Sequence, residues 1–184
     1  MASRDPIELT DAAKRALAVQ DYTPAREIDG VQIVELKRFT DDGGSFMELG
    51  RLDQGVLAGL TGFECRQVSY SEMDPGVIKA FHLHRRQTDV WFVPPGDKML
   101  VVLLDVRAGS KSQGVQRRLV LGDGHSRLVR IPPGVAHGVK NLAQSRGRII
   151  YFVDFQFSPD PDRTEEGRLP WDFAGADVWD LTRG

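Results

Sequence analysis

Gly76-Val-Ile-Lys-Ala-Phe-His82-Leu-His84-Arg-Arg-Gln-Thr-Asp89-Val-Trp-Phe-Val-Pro-Pro-Gly96 holds two short runs of strand formers, parted by a polar turn and closed by Pro-Pro-Gly. The same texture extends in both directions. Runs rich in Val, Ile and Phe recur every ten or so residues from Gly30, and Gly, Pro and Asp pairs separate them. Strands are expected over 31–36, 46–52, 64–71, 77–83, 90–93, 99–106, 115–121, 127–131 and 148–157. The intervening turns, such as Asp41-Asp-Gly-Gly44 and Gly122-Asp-Gly124, each offer a Gly where positive φ is needed. So many short strands, with 19 Gly and 10 Pro, predict an all-β β-barrel or sandwich of the jelly-roll kind.

Three segments follow from the change of texture. Residues 1–26 form an N-terminal extension whose Thr10–Gln20 stretch reads as one short helix packed outside the barrel; its stripe is mostly Ala with Leu17 and Val19. Residues 27–157 form the jelly-roll domain. Residues 158–184 form a polar, turn-rich tail that Trp171 and Trp179 are expected to fold back onto the barrel. Met99-Leu-Val-Val-Leu-Leu104 is apolar without alternation, as in a strand covered on both faces, and a second subunit could supply one cover.

At 184 residues with a net charge of −2, the chain is one domain with no basic field for nucleic acid. No apolar stretch is long enough to span a membrane, and the first residues lack the apolar core of a signal peptide, so a cytoplasmic location is expected. A single Cys65 excludes an internal disulfide and every multi-Cys zinc motif, which leaves any metal to His and carboxylates.

Three of the four His fall in two segments. On a strand, His82 and His84 project from one face, and Asp89 can return to that face after a tight turn. His137 follows the turn in Ile131-Pro-Pro-Gly-Val-Ala-His137. Three imidazoles and one carboxylate in a barrel interior suit a divalent transition metal: iron, manganese, nickel, zinc or copper. The spacing resembles the two metal-ligand motifs of the cupin superfamily, with Asp89 where Glu is usual; the resemblance implies His82, His84, Asp89 and His137 as ligands. His125, in a Gly-rich turn, reads as solvated.

Over residues 27 to about 179 the order of features is similar to that of the dTDP-4-dehydrorhamnose 3,5-epimerase family, a branch of the cupins that works without metal. The carrying segments are Glu27-Ile-Asp-Gly-Val-Gln-Ile-Val34, Phe39-Thr-Asp-Asp-Gly-Gly-Ser-Phe-Met-Glu48, Val77-Ile-Lys-Ala-Phe-His82, Asp105-Val-Arg107-Ala-Gly-Ser110, Ile131-Pro-Pro-Gly-Val-Ala-His-Gly138 and Tyr151. The resemblance implies proton abstraction beside the ketone of a nucleotide-linked sugar. His82 is then the base and Tyr151 the acid, with Glu48, Lys79 and His137 at the substrate, no cofactor, and a homodimer.

The chain departs from that pattern at charged positions. Gly43 and Lys79 replace two Arg, the Lys that would face the enolate falls at or beside Asp89, and the Asp that orients the base lies in the family beyond the tail Trp, where Asp177 or Asp180 could substitute. A lone pair given to a metal cannot also take a proton, so ligation and base catalysis compete for His82. The alternatives are therefore a metal-dependent isomerase or dioxygenase type of cupin acting on another small molecule, and a non-catalytic small-molecule-binding barrel.

Overall fold

A computed structural model describes residues 6–57 and 59–181. Along the chain come α1 (Asp11–Ala16), β1 (Gln32–Glu35), β2 (Arg38–Asp41), β3 (Gly44–Met47), β4 (Leu52–Asp53), β5 (Val56–Leu57), β6 (Gln67–Met73) and β7 (Ile78–Leu83). There follow β8 (Asp89–Phe92), β9 (Lys98–Asp105), β10 (Gln116–Gly122), β11 (Arg127–Ile131), β12 (Val135–Asn141), β13 (Gly147–Val153) and β14 (Gly167–Arg168), then one turn of 3-10 helix at Ala176–Trp179.

Two five-stranded antiparallel sheets face each other, ordered β1-β11-β8-β13-β6 and β10-β9-β12-β7-β14. From β6 onward the chain passes back and forth between them, except that β9 and β10 form a hairpin within the second sheet, so most neighbours in sequence stand on opposite walls. This is the jelly-roll, built as an open sandwich: among the described residues no strand pairs one sheet to the other. The all-β expectation holds, while β12 and the β14 edge had not been read as strands. No helix among the described residues is long and apolar enough to cross a membrane.

The central strands carry continuous apolar runs because both of their faces are covered. Met99, Val101 and Leu103 of β9 pack between the sheets with Trp91, Val129, Ile131, Val139 and Ile149. On the outer face of the second sheet, Leu100 and Val102 meet Phe81, Val178 and Trp179. The second cover of the Met99–Leu104 run is thus the chain's own tail, which removes that run as a reason to invoke a second subunit. The first sheet's outer face is closed likewise, by Leu57, Leu60 and Phe63 over Val90, Phe92 and Leu128.

The tail anchors through one Trp. Trp179 is 1% exposed, its ring 5.4 Å from that of Phe81, and its indole N–H donates to the carbonyl of Trp171 at 2.9 Å. Trp171 itself is half exposed and supplies only that carbonyl. The N-terminal helix is shorter than expected and covers nothing: its residues are exposed, as are Leu17 and Val19. An Ala-rich stripe has too little area to hold it against a sheet, and Thr10 caps a single short segment.

Two outcomes follow. Trp179→Ala is expected to cost about 3–5 kcal/mol in chemical denaturation, and to open the tail to limited proteolysis. Asp105, whose side chain is fully buried, accepts from Arg107, Ser110 and Ser112, and the guanidinium holds its carboxyl well below the usual range against the opposing effect of burial. A carboxyl depressed by folding stabilises above its unfolded value of about 4 and loses that contribution as pH falls toward its folded value. Asp105→Asn is therefore expected to lower Tm more at pH 7 than at pH 3, measured by calorimetry.

Candidate active site

A cavity of about 370 Å³ opens between the sheets. Lys79 and His82 reach it from β7, His84 from just beyond that strand, Asp89 and Trp91 from β8, and Tyr151 from β13. Simple alternation would not bring Lys79 and His82 to one side, since they stand three apart. The register supplies the reason: β12 pairs His137 with His82 but Val139 with Lys79, so β7 carries one residue more than its partner across the step. This β-bulge at Ala80–Phe81 resets the alternation. Ile78, Ala80, Phe81 and Leu83 consequently all face the tail's cluster, while Lys79, His82 and His84 face the cavity.

His82 is held at both nitrogens by the tail. Arg168 Nη1 donates to His82 Nε2 at 3.2 Å, and Glu166 Oε2 lies 3.8 Å from Nδ1. A guanidinium only donates, so Nε2 carries the lone pair and the proton sits on Nδ1, toward the carboxylate. Burial pushes the His82 pKa below its ordinary value, Glu166 opposes the shift, and His137 and Arg168 add to it. The imidazole is neutral at pH 7. Across the cavity, burial raises the Tyr151 phenol, partly offset by Ser71, so it stays protonated. A neutral imidazole and a protonated phenol therefore stand on opposite walls of one cavity, since β7 and β13 belong to different sheets.

The other imidazoles are arranged differently. His137, 1% exposed, holds Nδ1 2.9 Å from the Val135 carbonyl, and His84 holds Nδ1 2.5 Å from the Glu165 carbonyl. Both therefore donate through Nδ1 and turn Nε2 toward Asp89, at 3.5 Å for His84 and 3.6 Å for His137. Asp89 is buried and accepts from Gln87 Nε2 at 2.7 Å and Trp91 Nε1 at 3.0 Å. Its carboxyl is held far below the usual range by His137 and His84, which overcome the larger opposing effect of burial. His82 stacks on His137, with ring centres 5.9 Å apart, but stands outside this group.

The remaining candidates divide. Lys79 lines the cavity, with Nζ donating to Ser71 Oγ and the Glu72 carbonyl. Glu48 pairs with Arg51 on an exposed segment and is not part of the cavity wall within this chain. Neither Asp177 nor Asp180 reaches His82: Asp177 lies inside the terminal 3-10 turn, where its carbonyl accepts from the Asp180 N–H, and the Asp180 carbonyl accepts from Arg118. His125 is exposed. The carboxylate beside His82 is Glu166. Sequence reasoning missed Glu165, Glu166 and Arg168, whose one signal is a charged run ahead of Leu169-Pro170. Their placement depends on β14 pairing with β7, Arg168 opposite His82.

The site places an imidazole and a phenol on opposite walls of a jelly-roll cavity, and comparison with known proteins gives the family, a class of sugar epimerases. The dTDP-4-dehydrorhamnose 3,5-epimerase family matches residues 25–172, and the chain belongs to it. The spore coat polysaccharide biosynthesis protein SpsL of Bacillus subtilis is 42% identical over 145 residues, 79% of this chain and 91% of that protein. A dTDP sugar isomerase from Desulfovibrio desulfuricans superposes with a TM-score of 0.69 at 26% identity, over 84% of this chain and 91% of that one. A Legionella pneumophila dTDP-6-deoxy-D-glucose-3,5-epimerase in complex with dTDP-4-keto-L-rhamnose gives 0.63 at 26% identity, covering 73% and 72%.

Because Glu166 is the influence that raises the His82 pKa, Glu166→Gln is expected to lower it further. An NMR titration of the His82 ring protons checks the direction.

Proposed function

We propose that the protein inverts a carbon next to the ketone of a nucleotide-linked 4-keto-6-deoxy sugar, with His82 as base and Tyr151 as acid. The observation that carries this reading is their placement on opposite walls of one cavity, together with the family. His82 Nε2 takes the proton from the carbon beside the ketone, and the C–H electron pair moves onto the ketone oxygen as an enolate. Tyr151 then delivers its phenolic proton to the other face of that carbon, which inverts it, and exchange with solvent resets both groups. Neither step needs a change of resting state, since the neutral imidazole has a lone pair to take a proton and the protonated phenol has one to give. Glu166 steadies the imidazolium that forms and fixes the tautomer whose lone pair faces substrate. Arg168 gives up its bond to Nε2 when the sugar arrives, because a guanidinium cannot stay against a newly charged ring.

Lys79 remains the substrate-facing cation on the cavity wall, and Glu48 a contact that this chain alone does not complete. The homodimer belongs to the same proposal. It is supported by the exposed Phe39 and Phe46 of the β2–β3 hairpin and by Val68 and Tyr70 on edge strand β6. Sedimentation velocity is expected to return twice the chain mass. Free, half-buried Cys65 accords with a reducing, cytoplasmic setting.

The chemistry is tested by incubation with a dTDP-4-keto-6-deoxyhexose in D₂O, read by NMR. Deuterium is expected at C3 or C5 with inversion. His82→Gln should lower the rate by about 10²–10⁴-fold, the usual worth of a positioned base. In Tyr151→Phe, exchange by His82 should persist while inversion is lost. Binding of the sugar nucleotide with no deuterium uptake would leave a non-catalytic binding barrel instead.

A further inference from the structure

We infer that Arg168 is a catalytic residue whose guanidinium stabilises the enolate oxygen formed when His82 takes a proton. This assignment rests on the epimerase reading and fills the one charge that reading leaves open. Negative charge develops on the ketone oxygen, and the position where the family resemblance puts a Lys falls at or beside Asp89. That residue is buried, and in spite of its burial His137 and His84 keep the carboxyl ionised. An oxygen gaining charge is repelled by such a neighbour and is stabilised only by a cation elsewhere on the wall.

The other cations nearby are engaged elsewhere. The Lys79 ammonium donates to Ser71 Oγ at 3.0 Å and to the Glu72 carbonyl at 2.8 Å, both on β6. Arg86 is paired with the Glu165 carboxylate. Arg168 instead donates to His82 Nε2 at 3.2 Å and, among the described residues, forms no ion pair with a carboxylate. The backbone builds this placement. Arg168 stands directly opposite His82 in the antiparallel β14–β7 pair, and partners so placed share a face of the sheet. Leu169, on the other face, packs with the tail's cluster. Gly167 lets the two strands close, because a Cβ there would collide with the Leu83 carbonyl oxygen.

Nε2 is the atom that receives the proton. A reacting carbon approaches such a base to about 3–3.5 Å, and a ketone oxygen lies about 2.4 Å from the carbon beside it. A donor already touching Nε2 is therefore one side-chain adjustment away from that oxygen, and Arg168 is exposed and has room to make it. As the C–H bond breaks, its proton goes to Nε2 and its electron pair shifts toward the ketone oxygen. The guanidinium, which has no lone pair to accept the new N–H, leaves the ring and donates to the oxygen. Charges then alternate: Glu166 negative, His82 positive, enolate negative, Arg168 positive. Before the transfer the ring and the ketone are both neutral, so this contact is stronger in the transition state than in the bound ground state and raises kcat. Delivery of the Tyr151 proton to carbon restores the ketone and frees the guanidinium.

The test follows deuterium uptake by a dTDP-4-keto-6-deoxyhexose in D₂O with the parent protein, Arg168→Met, Arg168→Lys and Arg168→Ala. Arg168→Met keeps the unbranched stem and loses the charge; it is expected to lower kcat about 10²–10³-fold, the usual effect of removing one donor from a developing oxyanion. Its KM is expected to change by less than about twofold, the sign of an interaction made only in the transition state. Arg168→Lys retains the charge and is expected to fall between Arg168→Met and the parent. Guanidinium chloride below denaturing concentrations is expected to restore part of the rate of Arg168→Ala, where the cation has room, and to leave the parent unchanged. A raised KM at unchanged kcat overturns the inference and makes Arg168 a contact to the nucleotide phosphates; a parent-like rate in Arg168→Met overturns it too. Where a variant loosens the tail, seen as new cleavage in limited proteolysis, the rescue decides, because a small cation replaces a missing charge but does not refasten a strand: recovery upholds the role and its absence overturns it. A parent protein without uptake overturns the epimerase reading and this inference with it, whereas an active parent beside an equally active Arg168→Met overturns the role of Arg168 alone.

Discussion

The close approach of β12 to β7 at Gly138 is the constraint on which the rest of the molecule depends. A Cβ at that position would stand 2.3 Å from the Ala80 Cβ and 2.9 Å from the Trp179 ring, so only glycine lets the two strands and the tail meet there. The β-bulge sits at the same place. Through it Lys79, His82 and His84 share one side of β7, His137 stacks on His82, and the opposite side of β7 becomes the seat for Trp179. Packing outside the second sheet and chemistry inside the sandwich are thus two faces of one irregular strand.

The tail belongs to the site as much as to the fold. Trp179 secures its end, β14 adds it to the edge of β7, and the residues between the sheets and that anchor supply Glu165, Glu166 and Arg168. Glu165 works twice. Its carboxylate accepts from the main-chain N–H groups of Arg85 and Arg86, which closes the turn after His84, and its carbonyl fixes the His84 ring. A sheet edge that would otherwise be open is thereby covered by the segment that sets the tautomers of two active-site imidazoles.

The all-β architecture was legible because it is written in local chemistry: Gly and Pro at the turns, and unbroken apolar runs where a strand is covered twice. The His82–His84 pair and its convergence with Asp89 and His137 were legible for a related reason, as strand periodicity and one turn suffice to place them. The bulge was not, because an extra residue in one strand shows only against the register of its partner. Nor was Glu166. Its role depends on a pairing between residues far apart in sequence, and in the polar run Pro159–Gly167 it looks like any solvated acid. The carboxylate beside His82 comes from the tail but from ahead of its last Trp, since Trp179 is buried by packing outside the second sheet and leaves Asp177 and Asp180 away from the cavity. The N-terminal helix was legible as a helix through its Thr10 cap, while its docking was not, for no large apolar side chain points inward.

Two carboxylates lie close to three imidazoles here, and their partners separate what they do. Glu166 faces the Nδ1 side of His82 and is partly exposed, while Nε2 accepts from Arg168; beside the ring the carboxylate favours the charged form of the imidazole. Asp89 is buried, its oxygens committed to Gln87 and Trp91, with two further nitrogen atoms aimed at it from just beyond bonding distance. A charge so placed cannot serve as the movable partner of a proton-transfer step, because protonating it would forfeit every one of those interactions at once. It is suited to fixed charge balance. Asp89, where a Lys is expected, and His84 then read as one coupled change: a buried carboxylate set between two imidazoles takes the place of a tethered ammonium, while His82 and Tyr151 line the same cavity from opposite sheets.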